Sequence, residues 1–297
     1  MPARGGALLV DKPVGPTSHD VVAWARKALG TKRVGHTGTL DPFASGLLIL
    51  LFGPATRLAE YLSGLAKTYA ATARLGIRTD THDSQGQILE PKGDWAAVGL
   101  HDILSELERF RGLIEQVPPQ FSAKKVGGEA MYRKARRGES VDLSPVVVEI
   151  SEIQLTAFEP PDFSFDVRCS VGTYIRALAR DIGEDLGVGA HLTTLRRTSV
   201  GKFSVDGAMA GQSLQEGVLP TRENWITAAQ AIRHLPSIQV LDDAALRLRQ
   251  GGTIPLPEAG LESEMPIAVL DEGGLLGIAE VREGKLAPKK MLQGGVR

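Results

Sequence analysis

At roughly 150 residues per domain, a chain of 297 residues has room for two domains, or for one large core with an appendage. Apolar residues at 42% and charged residues at 23% exclude a mostly disordered chain, a coiled coil and a collagen-like repeat. Thirty-four Lys and Arg against 35 Asp and Glu leave a formal charge of −1, so a nucleic-acid partner has to be met by a local basic patch. The single cysteine, Cys169, excludes an intrachain disulfide and a multi-cysteine zinc site, which fits a reducing cytosol. Met1 to Gly6 carries no apolar signal-peptide region, and the run Leu47 to Phe52 is far short of the ~20 residues of a membrane span. The expectation is a soluble cytoplasmic protein.

In chain order, Ala7 to Val10 reads as a buried strand stopped at Pro13. Ser18 is the expected N-cap of a helix with Val21, Val22, Trp24, Ala25 and Leu29 on one face and Gly30 as its stop. Leu47 to Leu51 predicts a second buried strand, Pro54 opens a helix through Leu58 and Leu62, and Lys67 to Leu75 alternates as a half-exposed strand. Gly99 to Arg111 has helical spacing at Leu100, Ile103, Leu104, Leu107 and Phe110. Val146 to Ile150 and Phe163 to Val171 are strand-like, and Thr173 is the expected cap of a helix running to Leu186. His191 to Val200 is extended. Strands and helices mix without strict βαβ alternation, which points to an α+β fold.

A boundary is expected near 234–236. Beyond it come a short helix (Asp242 to Arg249), a Gly251-Gly252 break, and strands Pro266 to Leu270 and Leu275 to Val281 joined as a hairpin through Glu272-Gly273-Gly274. The organisation is a catalytic-sized region, 1–235, and a small β-barrel-like module, 236–297.

Local charge says more than the total. Lys124, Lys125, Arg133, Lys134, Arg136 and Arg137 face one acid, Glu129, with Phe121, Met131 and Tyr132 interleaved. Arg4, Lys12, Arg26, Lys27, Lys32 and Arg33 make the first forty residues basic as well. Cations and rings on a glycine-jointed loop suit a phosphate backbone with splayed bases, although a solvated surface helix would show similar charges.

The loop Gly35-His36-Thr37-Gly38-Thr39-Leu40-Asp41-Pro42-Phe43-Ala44-Ser45-Gly46 lies between apolar runs. Its glycines allow close approach of a ligand, and Pro42 holds the backbone of Asp41 extended. An ionised Asp there is chemically a nucleophile or a general base. Asp-Pro turns are also common where no chemistry occurs, so the residues alone leave both readings open. No Gly-Lys-Ser/Thr ending supports a P-loop.

Gly35 to Pro42 resembles the catalytic loop of the bacterial tRNA pseudouridine-55 synthases, the TruB family. The likeness continues in order through Leu9-Val10-Asp11-Lys12-Pro13, Lys67-Thr68-Tyr69, Leu75 to Thr81, Phe110-Arg111-Gly112, Pro118 to Lys125, Gly172-Thr173-Tyr174-Ile175-Arg176 and Leu195-Arg196-Arg197. Gly277-Ile278-Ala279 and Leu286 to Lys290 resemble, more weakly, the family's C-terminal PUA-type RNA-binding module.

The resemblance implies a pseudouridine-synthase fold, a mixed and mostly antiparallel sheet flanked by helices. It implies isomerisation of uridine 55 in the tRNA T-loop: the C1′–N1 bond breaks, uracil rotates, and C5 replaces N1 on the sugar. No cofactor or metal is needed, since nothing is oxidised. The implied partner is the tRNA T-arm, with no membrane, no obligate protein partner and a monomeric enzyme. Asp41 matches the nucleophile, attacking carbon or stabilising a cationic sugar. Tyr69 matches the tyrosine that stacks on the target uracil and is a candidate base. Arg176 matches a carboxylate-pairing position and Tyr174 a substrate-binding one. His36 matches a residue that helps extrude the nucleotide, and Leu195 one that contacts uracil. The segment 118–144 matches the family's T-arm-gripping insertion, with Lys125, Arg133 and Arg136 as RNA contacts; Lys124 stands where the family has an apolar residue. Extruding the base costs a few kcal/mol of unstacking, which a stacking platform and backbone contacts offset.

Other readings attach to particular residues. Asp80 and Asp83, with His82 between them, invite a metal, but local Asx hydrogen bonds explain them better. Cys169 invites thiolate attack on uracil, but its alternation with Val167 and Val171 makes it a small buried hydrophobe. A non-catalytic tRNA-folding protein would use the same basic surfaces.

Overall fold

The computed structural model describes residues 5–89, 93–121, 143–256 and 265–292, with Arg137 and the backbone of 125–126 and 129–130. The first strand, β1 (Gly6–Lys12), leads into α1 (Ser18–Ala28), β2 (Val34–His36) and β3 (Ser45–Phe52). A 3-10 turn, Gly53–Leu58, runs into α2 (Ala59–Ser63) and β4 (Lys67–Leu75). Then come α3 (Leu100–Arg109), β5 (Gly112–Gln116), the short pair β6 (Lys125–Val126) and β7 (Glu129–Ala130), β8 (Val146–Glu159), β9 (Asp162–Cys169), α4 (Ile175–Asp185) and β10 (Ala190–Val200). Short pieces follow: β11 (Phe203–Ser204), β12 (Met209–Ala210), α5 (Gly211–Gln215), β13 (Trp225–Thr227) and α6 (Ala228–Ala231). The last region holds β14 (Ser237–Gln239), α7 (Asp242–Arg249), β15 (Ile254–Pro255), β16 (Ile267–Asp271), β17 (Gly274–Arg282) and β18 (Lys285–Met291).

The main sheet runs β12-β1-β3-β10-β4-β9-β8-β5, with β2, β11 and β13 on its flanks. It is antiparallel except where β1 meets β12 and β3 meets β10, which gives the expected α+β class. In β4 every second residue from Lys67 to Leu75 is buried, as the alternation required. Tyr69, Ala71, Ala73 and Leu75 share a core with α3, α4 and the inward faces of β8 to β10. A smaller sheet, β14-β16-β17-β18-β15, packs with α7 around its own cluster. Among the described residues no helix is long and apolar enough to cross a membrane.

Several expected boundaries move. The N-cap of α1 is Thr17, whose side chain takes the Asp20 N–H in a capping box, which frees Ser18 for another contact. Tyr174, not Thr173, caps α4; the Thr173 hydroxyl donates to Ser170 O instead. The strand expected at Val146 to Ile150 continues to Glu159; register shifts after Ile150 and Leu155 break its period of two, which hides the extension in the sequence.

The parallel contact of β3 with β10 pairs Ser45 with Arg196 and Gly46 with Arg197. This sets the loop 37–44 over the middle of the sheet. Gly46 has φ of +105°, and a Cβ there would lie 2.3 Å from the Arg197 carbonyl oxygen. Gly46→Ala is therefore expected to cost about 2–4 kcal/mol, summing overpacking and a left-handed backbone. A lower urea midpoint at an unchanged slope measures it.

Candidate active site

The loop carrying Asp41 is held from three sides. The Ser18 hydroxyl donates to Leu40 O at 3.2 Å and accepts from Leu40 N–H at 2.9 Å. Gly15 N–H donates to Pro42 O at 2.8 Å. Lys12, fully buried, donates to Pro13 O and Pro16 O, both at 2.8 Å, and reaches Pro42 O at 3.5 Å. Burial lowers its pKa to about 8, with Asp41 pulling the other way. Lys12 thus leaves the basic surface to which its charge assigned it. On the far side Arg197, also buried, donates from Nε to Leu47 O at 2.7 Å and from its two terminal nitrogens to Gly38 O at 3.0 Å and Thr39 O at 3.3 Å.

Asp41 opens on a cavity of about 250 Å³, whose wall includes Tyr69, Tyr174, Arg176, Leu195, Lys67 and Arg197. One carboxylate oxygen of Asp41 stands 2.9 Å from Arg176 Nε, an ion pair without the alignment of a hydrogen bond. Arg176 is 4% exposed, whereas the Asp41 side chain keeps 37% open. The rest of the guanidinium is engaged: it donates to Thr81 O and Phe121 O at 2.8 Å and stands 3.5 Å from Asp83. Burial pushes the Asp41 pKa up, and Arg176 opposes that rise. Burial also raises the Tyr69 pKa, with Arg197 opposing, so the phenol stands neutral at physiological pH.

The structure brings Asp41, Tyr69, Tyr174, Arg176 and Leu195 to this one cavity. His36 stands just outside its wall. Its Nδ1 accepts from Gly38 N–H at 3.3 Å, and its ring meets the exposed His19 edge-on at 5.4 Å between centroids. Burial lowers the His36 pKa. The side chains of Lys125, Arg133 and Arg136 lie outside the described residues; only the backbone of Lys125 is described, paired with Ala130.

Residue patterns do not single out Lys67, Arg197 or Gln116, and they assign Asp83 only to its own loop. Lys67 sits in phase with the inward residues of β4, and Arg197 in phase with Leu195, so a charge at a core position was the available signal. Asp83 does order its own loop, accepting from the Thr81 hydroxyl at 2.7 Å and Gln85 N–H at 3.0 Å, but it also faces Arg176. Asp80 accepts from Gln87 N–H. Among the described residues no group of three or more His, Cys, Asp or Glu is placed to hold a metal.

Comparison with known proteins fits this geometry. The family model "TruB family pseudouridylate synthase (N terminal domain)" matches residues 26–175. "tRNA pseudouridylate synthase B C-terminal domain" matches 176–242, and "Pseudouridine synthase II TruB, C-terminal" matches 236–292. The chain is 42% identical to the tRNA pseudouridine synthase B of Burkholderia lata, over 97% of this chain and 90% of that one. The chain belongs to the TruB family. It is a pseudouridine synthase acting on RNA.

The protein of the same description from Azoarcus sp. is 40% identical over 97% of this chain and 94% of its own. Among solved structures, the chain is similar to one in a Cbf5-Nop10-Gar1 complex, with a TM-score of 0.76, 27% identity, and 99% and 86% of the two chains covered. A chain of an H/ACA RNP bound to a substrate RNA containing 2′-deoxyuridine gives 0.74, 25%, 98% and 86%. The pseudouridine-synthase fold expected from the TruB likeness is therefore present, and the five-stranded C-terminal sheet fits a PUA-like module.

Cys169 ends β9 with 1% exposure, its thiol 3.8 Å from Lys67 O, and burial raises its pKa to about 11. It is a thiol facing the core and takes no part in the cavity wall. Cys169→Ser is expected to leave the rate of tRNA pseudouridylation unchanged, measured as tritium released from C5-labelled uracil; abolished turnover in a folded variant would overturn this.

Proposed function

We propose that the enzyme isomerises uridine 55 of the tRNA T-loop to pseudouridine, with Asp41 as the nucleophile. The observation that carries this is Asp41 itself: a carboxylate fixed by a buried guanidinium on one side and open to a base-sized cavity on the other. In this reading the target nucleotide leaves its stack and uracil enters between Tyr69 and Leu195. The carboxylate attacks carbon, or stabilises the sugar cation, as the C1′–N1 bond breaks. Uracil turns within the cavity, C5 bonds to C1′, any bond from Asp41 to carbon breaks to return the carboxylate, the C5 proton leaves and N1 takes one up. Atoms and electrons balance as in any isomerisation, and no cofactor is asked for.

Arg176 holds the carboxylate ionised and aimed, since a guanidinium stays protonated at any working pH. The neutral Tyr69 serves as a stacking platform; its raised pKa disfavours it as a standing base. Tyr174 and Leu195 bound the base, and His36 at the cavity edge helps to hold the nucleotide out. Residues 1–235 form the catalytic region, and 236–297 the PUA-like RNA-binding one. The segment 118–144 grips the T-arm through Lys125, Arg133 and Arg136. The enzyme works as a cytoplasmic monomer without an obligate protein partner.

Unmodified tRNA labelled with tritium at uracil C5 tests the reading. Wild-type enzyme is expected to release label from one T-loop uridine. Asp41→Asn is expected to bind tRNA normally and lose roughly 10⁴-fold or more in rate, the scale on which loss of a nucleophile acts. Equal release from both would remove Asp41 from its role, and no release by the wild type would remove the reading.

The pH profile gives a second test. The reacting form of Asp41 is ionised, so the single-turnover rate rises with pH through its pKa, and that acid limb lies above the ordinary aspartate range because burial raises the pKa. Arg176 favours the anion. Its loss in Arg176→Met is expected to move the limb to still higher pH, and a limb that stays in place would deny the coupling.

A further inference from the structure

The side chain of Gln116 is wholly buried at the end of β5, and both ends of its amide go to one residue. Its Oε1 accepts the N–H of Tyr174 at 2.8 Å, and its Nε2 donates to the C=O of Tyr174 at 3.2 Å. The two-point clamp copies the pairing of neighbouring strands and fixes both peptide planes of that residue. Tyr174 is the N-cap residue of α4, so its N–H has no acceptor within the helix and needs a partner outside it. Its carbonyl, however, already accepts from Leu178 N–H at 3.0 Å. The second bond to that carbonyl therefore adds orientation where satisfaction was already met.

Tyr174 lines the cavity, and Arg176, two residues on, pairs with Asp41. The chain after Gln116 is tied to the same helix. Arg180 donates to Val117 O at 3.0 Å and Arg176 to Phe121 O at 2.8 Å. Residues 116, 117 and 121 thus fix the start of α4 over the cavity, and Gln116 is the one that addresses the backbone of a cavity residue.

We propose that Gln116 is a positioning residue for pseudouridylation, acting through the Tyr174 backbone to hold the Tyr174 ring in its reacting place. The proposal rests on the reaction and site assigned above, and deepens them. A misplacement of about 1 Å in a reacting assembly costs about 10²-fold in rate.

The test is a double-mutant cycle on tritium release from C5-labelled tRNA, in single turnover at saturating enzyme, with tRNA affinity measured alongside. Gln116→Met keeps length and volume and removes both bonds. It is expected to lose about 10²-fold in rate at unchanged tRNA affinity. In a Tyr174→Ala background the same substitution is expected to cost little, because the ring it places is gone. A role in stability alone predicts equal losses in both backgrounds, and that result overturns the proposal, as does an unchanged rate in the single variant. If Gln116→Met fails to fold, Gln116→Glu, which keeps the acceptor for the Tyr174 N–H, runs through the same cycle. A rate loss confined to the Tyr174 background then supports the proposal, and equal losses or none overturn it. Absence of release by the wild type would strike the pseudouridylation reading itself, and so is told apart from failure of this proposal.

Discussion

A buried guanidinium cannot shed its charge, and this constraint organises the site around Arg176. Its surroundings must supply acceptors, and they do so from three separate stretches: Asp41 on the loop between β2 and β3, Thr81 and Asp83 on the loop after β4, and Phe121 after β5. Removing any acceptor leaves charge unpaired in a medium that penalises it by several kcal/mol. The three stretches are therefore held in one arrangement by the demand of one side chain. Asp41 gains from this, because the guanidinium opposes the rise in pKa that burial imposes on its carboxyl.

The same device recurs around the loop. Lys12 and Arg197 are buried cations that find backbone carbonyls rather than carboxylates: Lys12 takes those of the chain before α1, and Arg197 takes Gly38, Thr39 and Leu47. Carbonyl partners lower the cost of burial without adding negative charge, and the cavity wall holds the cations Lys67, Arg176 and Arg197 with Asp41 as its carboxylate. Such a field suits a ligand bearing phosphates. Rigidity here comes from polar groups that must be satisfied, on a loop whose glycines would otherwise leave it free.

The smaller sheet is joined to the larger by more than a linker. Ala268, Leu275, Ile278 and Leu292 complete a core with Leu47, Ile49, Leu51 and Leu58. Arg57 donates to Met291 O at 2.8 Å, and Lys290 pairs with Glu60 beside the Tyr61 ring. Glu60 and Tyr61 lie on α2, which also supplies Ser63 to the cavity wall and a carbonyl to Lys67. One short helix therefore borders both the C-terminal sheet and the pocket.

The sequence by itself determined the elements whose side chains repeat with the backbone. The alternation of β4, the apolar face of α1, the helix at Leu100 and the hairpin of β16 and β17 are local, because burial on one face imposes a period of two or 3.6. It also supplied the candidate loop, since glycines around an Asp-Pro pair can be read without a fold, and the order of motifs supplied the family likeness. Where register slips, as in β8, the period is lost and the strand's full length is no longer legible. Only tertiary structure decided that Lys12 is buried, that Ser18 grips Leu40 instead of capping its helix, and that Asp83, Arg176 and Asp41 meet. Those contacts join residues that no periodicity links. They arise because strands distant in sequence become neighbours in the sheet, and a buried charge then takes whatever acceptors that neighbourhood offers.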